Sequence, residues 1–246
     1  MCETCGCGQA NAPRTVRIEE DVLHKNNLVA AEVRALLAQR QALMVNMLSA
    51  PGSGKTFLLE KSLPLLMNDV QVAVLEGDVQ TRYDADRLRQ HGIPAVQVNT
   101  GGACHLDAES VRRVITRAPF DTAQLIVIEN VGNLVCPSAF DLGEAMKIVA
   151  VSVTEGDDKP EKYPAAFAAA SLMLITKTDL LPHVTFDVAR CKEGVWQVHP
   201  GLPVIELSAR SGAGVEAWLA WLRHALDHTR QTPHHHHDQP AGHHTH

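Results

Sequence analysis

Between residues 49 and 56 the chain reads Ser-Ala-Pro-Gly-Ser-Gly-Lys-Thr, directly after an apolar run and at the head of a helix-compatible stretch. Gly52 and Gly54 let such a loop turn backbone N–H groups toward phosphate oxygens, and the helix N-terminus adds a favourable dipole. Ser53 lies within the loop. Lys55 can reach β- and γ-phosphates, and Thr56 can place its hydroxyl on magnesium. Phe57 follows in the same nucleotide-binding stretch. Ser49 stands where such loops usually carry their first glycine. Glycines alone could simply make a strand-to-helix turn, but G-K-T in this context predicts nucleotide binding.

Three further segments bear on the base and the metal. Thr176-Lys177-Thr178-Asp179 follows an apolar run, and a carboxylate at Asp179 can accept from guanine N1–H and the 2-amino group. Thr176 stands where an asparagine is expected. Ser208-Ala209, after another apolar run, resembles the Ser-Ala segment that in GTPases closes over the guanine from the other side. Asp78, in Glu76-Gly77-Asp78, and Glu129, in Glu129-Asn130-Val131-Gly132, stand at expected strand ends. Carboxylates at the C-terminal edge of a parallel sheet fall beside the phosphate loop, where such folds bind ligands. With Thr56 they form the expected Mg2+ set, and Lys55, Asp78 and Glu129 are the candidate catalytic groups. Asp78 is the candidate for orienting the attacking water.

Cysteine and histidine are unevenly placed. Three of the six cysteines, Cys2, Cys5 and Cys7, fall in the first seven residues, and seven of the 14 histidines crowd the last thirteen positions. Closely spaced thiolates suit a borderline ion such as Ni2+ or Zn2+, with the terminal amine near enough to join them. A second candidate set is Cys104-His105 with Cys136. The strand and loop pattern brings both segments to one sheet edge, beside the loop that leaves Glu129. The tail imidazoles would bind nickel, zinc or copper with little selectivity. In a reducing compartment such clusters read as metal ligands rather than disulfide frameworks.

The 246 residues are 45% hydrophobic and 20% charged, with 22 basic against 28 acidic side chains and a formal net charge of −6. The apolar fraction excludes wholesale disorder. No apolar run approaches the roughly 18 residues of a membrane span, and there is no basic-then-apolar leader, so a cytoplasmic setting is expected. The acidic balance gives no electrostatic footprint for nucleic acid. Short, nearly all-apolar runs at Leu43–Leu48, Gln71–Leu75, Ala95–Val98, Leu125–Ile128, Ile148–Val153, Leu172–Ile175 and Val204–Leu207 predict strands buried on both faces. Helices are expected over Ile18–Arg40, Thr56–Met67, Tyr83–His91, Leu106–Arg117 and Val215–His228. The alternation predicts an α/β fold with a mostly parallel central sheet flanked by helices. The expected division is a Cys-rich segment and linker over 1–15, a GTPase domain over 16–229, and a disordered His-rich tail over 230–246.

Taken together, Cys2-x-x-Cys5-Gly6-Cys7, Pro51–Thr56, Glu76-Gly77-Asp78, Cys104-His105-Leu106, Glu129–Pro137 and Val153–Pro160 closely resemble the hydrogenase nickel-incorporation GTPases of the HypB family. The resemblance runs from the N-terminus to about Leu226. It implies a P-loop NTPase of the SIMIBI class acting as a GTP- and Mg2+-dependent metallochaperone. By the same resemblance, the chain would dimerise around GTP and work with a HypA-type nickel chaperone. It would deliver nickel to the [NiFe]-hydrogenase large subunit through slow, switch-like hydrolysis. Nickel or zinc would sit at Cys104, His105 and Cys136 near the dimer interface, and the N-terminal cysteines would be a tighter nickel site. Lys159, in Asp157-Asp158-Lys159-Pro160, would contact nucleotide across that interface. The competing readings are a urease-type accessory GTPase, a metal-storage protein dominated by its tail, and a regulatory GTPase with redox-sensing cysteines.

Overall fold

The structure, a computed structural model, describes residues 14–78 and 83–231. Cys2, Cys5, Cys7 and the histidines of the tail lie outside the described residues. A long helix, α1 (Arg14–Gln39), leads into β1 (Leu43–Ser49), all seven residues of which are buried. Then follow α2 (Lys55–Ser62), β2 (Val72–Asp78), α3 (Tyr83–Gln90), β3 (Ala95–Asn99), α4 (Ala108–Ile115) and β4 (Leu125–Glu129). The second half comprises α5 (Cys136–Ala139), β5 (Met146–Ser152), α6 (Lys159–Lys162), α7 (Pro164–Ala168), β6 (Leu172–Thr176), α8 (Val188–Val198), β7 (Val204–Glu206) and α9 (Val215–Gln231).

The seven strands form one sheet in the order β3-β2-β4-β1-β5-β6-β7, and every pairing is parallel. All strand C-termini therefore share one edge, and the segments leaving β1, β2, β4 and β6 converge there. The expected strands are all present, each within a residue or two of its predicted ends except that β2 runs three residues further, to Asp78. Both faces of the inner strands are covered, which is why their sequences are largely apolar rather than alternating, whereas the edge strands β3 and β7 are only partly buried. On one face, Leu58, Leu59 and Leu63 pack with Leu88 and with Trp218 and Leu222 of α9. Trp218 Nε1 donates to Ser62 Oγ at 3.2 Å, so the buried indole is satisfied. On the other, Val33 and Leu37 of α1 and Val111 and Ile115 of α4 pack on Met44, Leu75 and Ile126.

Helix boundaries depart from expectation for local reasons. The predicted Thr56–Met67 helix ends at Ser62 and passes into a 3-10 turn over Leu63–Leu65 carrying Pro64, which has no N–H to continue an α-helical ladder. Asp107 caps α4 through Ser110 N, which moves its start from Leu106 to Ala108. Helix α1 begins at Arg14, inside the stretch read as linker. Helix α8 was not foreseen, although Asp187 caps it through Arg190 N and Cys191 and Val195 bury one face at i, i+4. Among the described residues no helix is long and apolar enough to cross a membrane.

Candidate functional site

At the C-terminal edge of the sheet lies a cleft of about 790 Å³, floored by residues 51–58 and walled by the ends of β2, β4 and β6. Gly52 and Gly54 have φ of 75° and 92°, a left-handed backbone that favours glycine, and Gly54 is the N-cap of α2. Gly132, after β4, abuts the loop directly: a Cβ there would stand 2.9 Å from the Pro51 backbone. Ser49 is fully buried, and its Oγ accepts from both Lys55 Nζ and Ser53 Oγ. The serine in place of the first glycine is thus an internal latch on the loop. Burial pushes the Lys55 ammonium below its ordinary pKa, with Glu129 the largest opposing influence.

Thr56 Oγ1 donates to Glu129 Oε1 at 2.7 Å. The second oxygen of Glu129 is enclosed without a hydrogen-bond partner among the described residues, and burial raises this carboxyl. Asp78 lies on the same wall, lining the cleft from the end of β2. Glu76, two residues earlier, also has a buried Oε2 without a partner among the described residues; burial, then Glu129 and Asp78, push its pKa up to about 8. An orphaned carboxylate oxygen beside a threonine hydroxyl is the donor set that a hard divalent cation takes, so Thr56, Asp78 and Glu129 fit Mg2+.

The far end of the cleft is formed by the segment after β6. Thr176 Oγ1 donates to Ser53 O at 2.7 Å, tying this segment to the phosphate loop. Lys177, at φ 58°, sends its Nζ to Gly52 O at 2.6 Å, laying its aliphatic stem along the cleft. Asp179 and Ala209 line the same end, and buried Ser208 donates its hydroxyl to Asp179 Oδ1, fixing the carboxylate's orientation.

The thiol and imidazole groups of Cys104, His105 and Cys136 also meet: their ligand atoms lie within 4.8 Å of one another. Cys104 Sγ is 3.6 Å from His105 Nδ1, and the His105 ring stacks on Phe140 with centroids 3.7 Å apart. Contact with the Cys136 thiol raises the Cys104 pKa, whereas burial lowers that of His105 against the pull of Asp107. Two thiolates and an imidazole suit nickel or zinc and leave a coordination position open.

The CobW/HypB/UreG nucleotide-binding domain matches residues 43–206. The hydrogenase maturation factor HypB of Azotobacter chroococcum is 53% identical over 222 residues, covering 88% of this chain and 73% of that protein. The crystal structure of HypB from Archaeoglobus fulgidus superposes with a TM-score of 0.78 at 40% identity, covering 83% of this chain and all of that one. HypB from Helicobacter pylori, solved in complex with nickel, gives 0.79 at 38% identity over 86% of this chain and 99% of its own.

The chain belongs to the HypB family.

In this HypB-family chain the cleft gathers Gly52, Ser53, Gly54, Lys55, Thr56, Phe57, Asp78, Glu129, Lys177, Asp179 and Ala209 into one lining, with Ser208 behind Asp179. Lys159 is outside it: its Nζ pairs with Glu155 Oε2 at 3.1 Å and lies over the Tyr163 ring. Sequence reasoning passed over Glu76, Asp84 and Arg87, which also line the cleft. Glu76 was legible in principle, because residues two apart on a strand share a face and Asp78 was already assigned there. Arg87 pairs with Glu60 at 2.7 Å, a contact across 27 residues that no local pattern announces.

Proposed function

We propose that this chain is a nickel metallochaperone for [NiFe]-hydrogenase maturation, in which GTP binding and slow hydrolysis gate the metal site. The observation that carries the reading is the shared loop after β4. It begins at Glu129, whose carboxylate holds the Thr56 hydroxyl, passes Gly132 against Pro51, and delivers Cys136 to Cys104 and His105. A nucleotide-dependent shift of this loop necessarily moves a metal ligand. The nickel-bound relative supports nickel as the cargo of the same family.

On this reading Lys55 and the loop N–H groups hold the β- and γ-phosphates, and Asp179, steadied by Ser208, selects guanine. Thr56, Asp78 and Glu129 hold Mg2+, which neutralises charge developing between the phosphates. Asp78 orients the attacking water. With nucleotide bound, the ends of β2 and β4 would come together and favour a homodimer, in which Lys159 of one protomer reaches the nucleotide of the other. Hydrolysis relaxes the loop, and Cys104, His105 and Cys136 release nickel or zinc to a HypA-type chaperone or the hydrogenase large subunit. The N-terminal segment 1–15, with Cys2, Cys5 and Cys7, serves as a separate nickel site ahead of the 16–229 GTPase domain. The 230–246 tail buffers metal, and the setting is cytoplasmic.

The test is native mass spectrometry of a variant ending at Thr232, with nickel, magnesium and either GDP or a non-hydrolysable GTP analogue. A GTP-state dimer carrying nickel that disappears with Cys104, His105 or Cys136 substitution is expected. Equal mass and metal content in both nucleotide states would remove the gating mechanism.

A further inference from the structure

Glu76 has no task in the reading above, although it is one of the most enclosed groups of the cleft. In the β2–β4 pairing it is the register partner of Glu129. Parallel neighbours in register project from the same face about 5 Å apart. Asp78, two residues on, shares that face, which α2 and the phosphate loop cover. Glu76 and Glu129 are only 3% and 5% exposed. Each encloses an Oε2 with no hydrogen-bond partner among the described residues.

The cations nearby send their hydrogen bonds elsewhere, although Lys55 still attracts both carboxylates through space. Lys55 is bonded to Ser49, Arg87 to Glu60 and Asp84, and Lys177 to Gly52 O. Two side-by-side carboxylates with unmet acceptors call for a positively charged group that brings several donors of its own. A hydrated Mg2+ is such a group, because it keeps several waters in a near-octahedral shell and each water presents hydrogens outward.

We propose that Glu76 is a magnesium-positioning residue: its carboxylate accepts hydrogen bonds from water bound to the ion that Thr56, Asp78 and Glu129 hold. The inference rests on the guanine-nucleotide reading of the cleft. Glu129 reaches the ion through the Thr56 end of the site, and Glu76, one strand spacing away, fixes the water shell from β2. The pair thereby couples the ends of two strands to one ion. It also explains why the acidic residue two before Asp78 faces the phosphate loop rather than solvent.

The experiment uses the full chain and a fluorescent GDP analogue, titrated with Mg2+ after chelation, for the native protein, Glu76→Gln and Glu76→Asp. Removing a group that orients a metal's outer shell costs about 10- to 100-fold in metal affinity. The Mg2+ concentration that half-maximally slows nucleotide release should therefore rise about tenfold or more in Glu76→Gln. Glu76→Asp, which keeps the charge, should lie between. If Glu76→Gln fails to fold, a raised half-point in folded Glu76→Asp carries the same conclusion. Equal half-points in all folded proteins would overturn the proposal. A native protein that binds no guanine nucleotide would instead refute the reading of the cleft, and the inference with it.

Discussion

Ser49 and Asn133 face each other in an antiparallel backbone bridge that fastens the end of β1 to the loop after β4. On the Ser49 side, the hydroxyl holds Lys55 and Ser53. On the Asn133 side, Nδ2 donates to Cys104 O at 3.4 Å and Oδ1 accepts from Val135 N at 2.8 Å. One residue thus contacts the base of the phosphate loop and both segments that carry the candidate metal ligands. Coupling between two sites needs a physical element that both bias, and this loop touches both.

Asn133→Ala should therefore weaken coupling without abolishing either binding event. Typical coupling energies are about 1–3 kcal/mol, a factor of roughly 5–150 between two ligand states. Nickel affinity measured by competition with a chromophoric chelator, with GDP and with a GTP analogue, should differ less in the variant than in the native chain. A ratio unchanged by the substitution would place the connection elsewhere, in the Glu129–Thr56 contact.

Asp179→Asn should change the base preferred. The carboxylate accepts two hydrogen bonds from guanine on the proposed reading, and charged hydrogen bonds are each worth about 1.5–3 kcal/mol. GTP affinity should fall by about 100-fold or more, and xanthosine triphosphate, whose 2-oxo group accepts from the new amide, should bind better than GTP. Ser208→Ala, which frees the carboxylate from its hydroxyl contact, should weaken GTP binding more modestly and leave the preference for guanine intact. Equilibrium binding with fluorescent nucleotides checks both.

The sheet could be read from the sequence because buried parallel strands are continuous apolar runs: Leu43–Leu48 and Leu125–Ile128 match β1 and β4 almost to the residue. The phosphate loop and the Asp179 and Ser208 segments were legible for a related reason, since each is a local motif at a strand end. Strand order was not legible, and with it went the pairing of Glu76 with Glu129. It depends on β2 lying next to β4, an arrangement that brings together residues 53 apart in the chain. The Ser49–Asn133 bridge was hidden in the same way. Helix α8 escaped because its buried face is only Cys191, Gly194 and Val195, too sparse to announce a period.

The three cysteines within the described residues should separate by reactivity. Burial, with Asp157 and Asp158 adding to it, pushes the Cys191 thiol up to about 12, and the side chain is fully enclosed. Cys104 is exposed and Cys136 half-buried. Since the thiolate is the reactive form, iodoacetamide at pH 8 should label Cys104 and Cys136 while Cys191 reacts only after unfolding. Nickel or zinc should protect the first two and leave Cys191 unchanged. Peptide mapping by mass spectrometry distinguishes them, and rapid labelling of Cys191 in the folded chain would contradict its packing against Val195 and Phe167.

Without nucleotide and magnesium, the carboxylate wall should make stability fall as pH rises. Glu76 has a folded-state pKa of about 8, raised by burial and by Glu129, Asp78 and Asp84 against the pull of Lys55. Its ordinary value is near 4.5. A carboxyl raised on folding binds its proton more tightly in the folded chain. Its stabilising contribution is complete below about pH 4.5 and is lost as pH climbs toward about 8, at up to about 1.4 kcal/mol per pH unit for one proton. Glu129 is raised in the same direction, so the two losses are shared rather than simply added. Glu76→Gln removes one titration while keeping the shape. Its melting temperature relative to the native chain should rise steadily between pH 5 and 8, leaving the variant the more stable protein at the upper end. Mg2+ with GDP should reverse the order at pH 8, because the ionised pair then has a divalent cation beside it in addition to Lys55. Thermal melts across that range, with and without Mg2+–GDP, check the sign. A difference independent of pH would mean that Glu76 is already ionised and satisfied in the empty cleft.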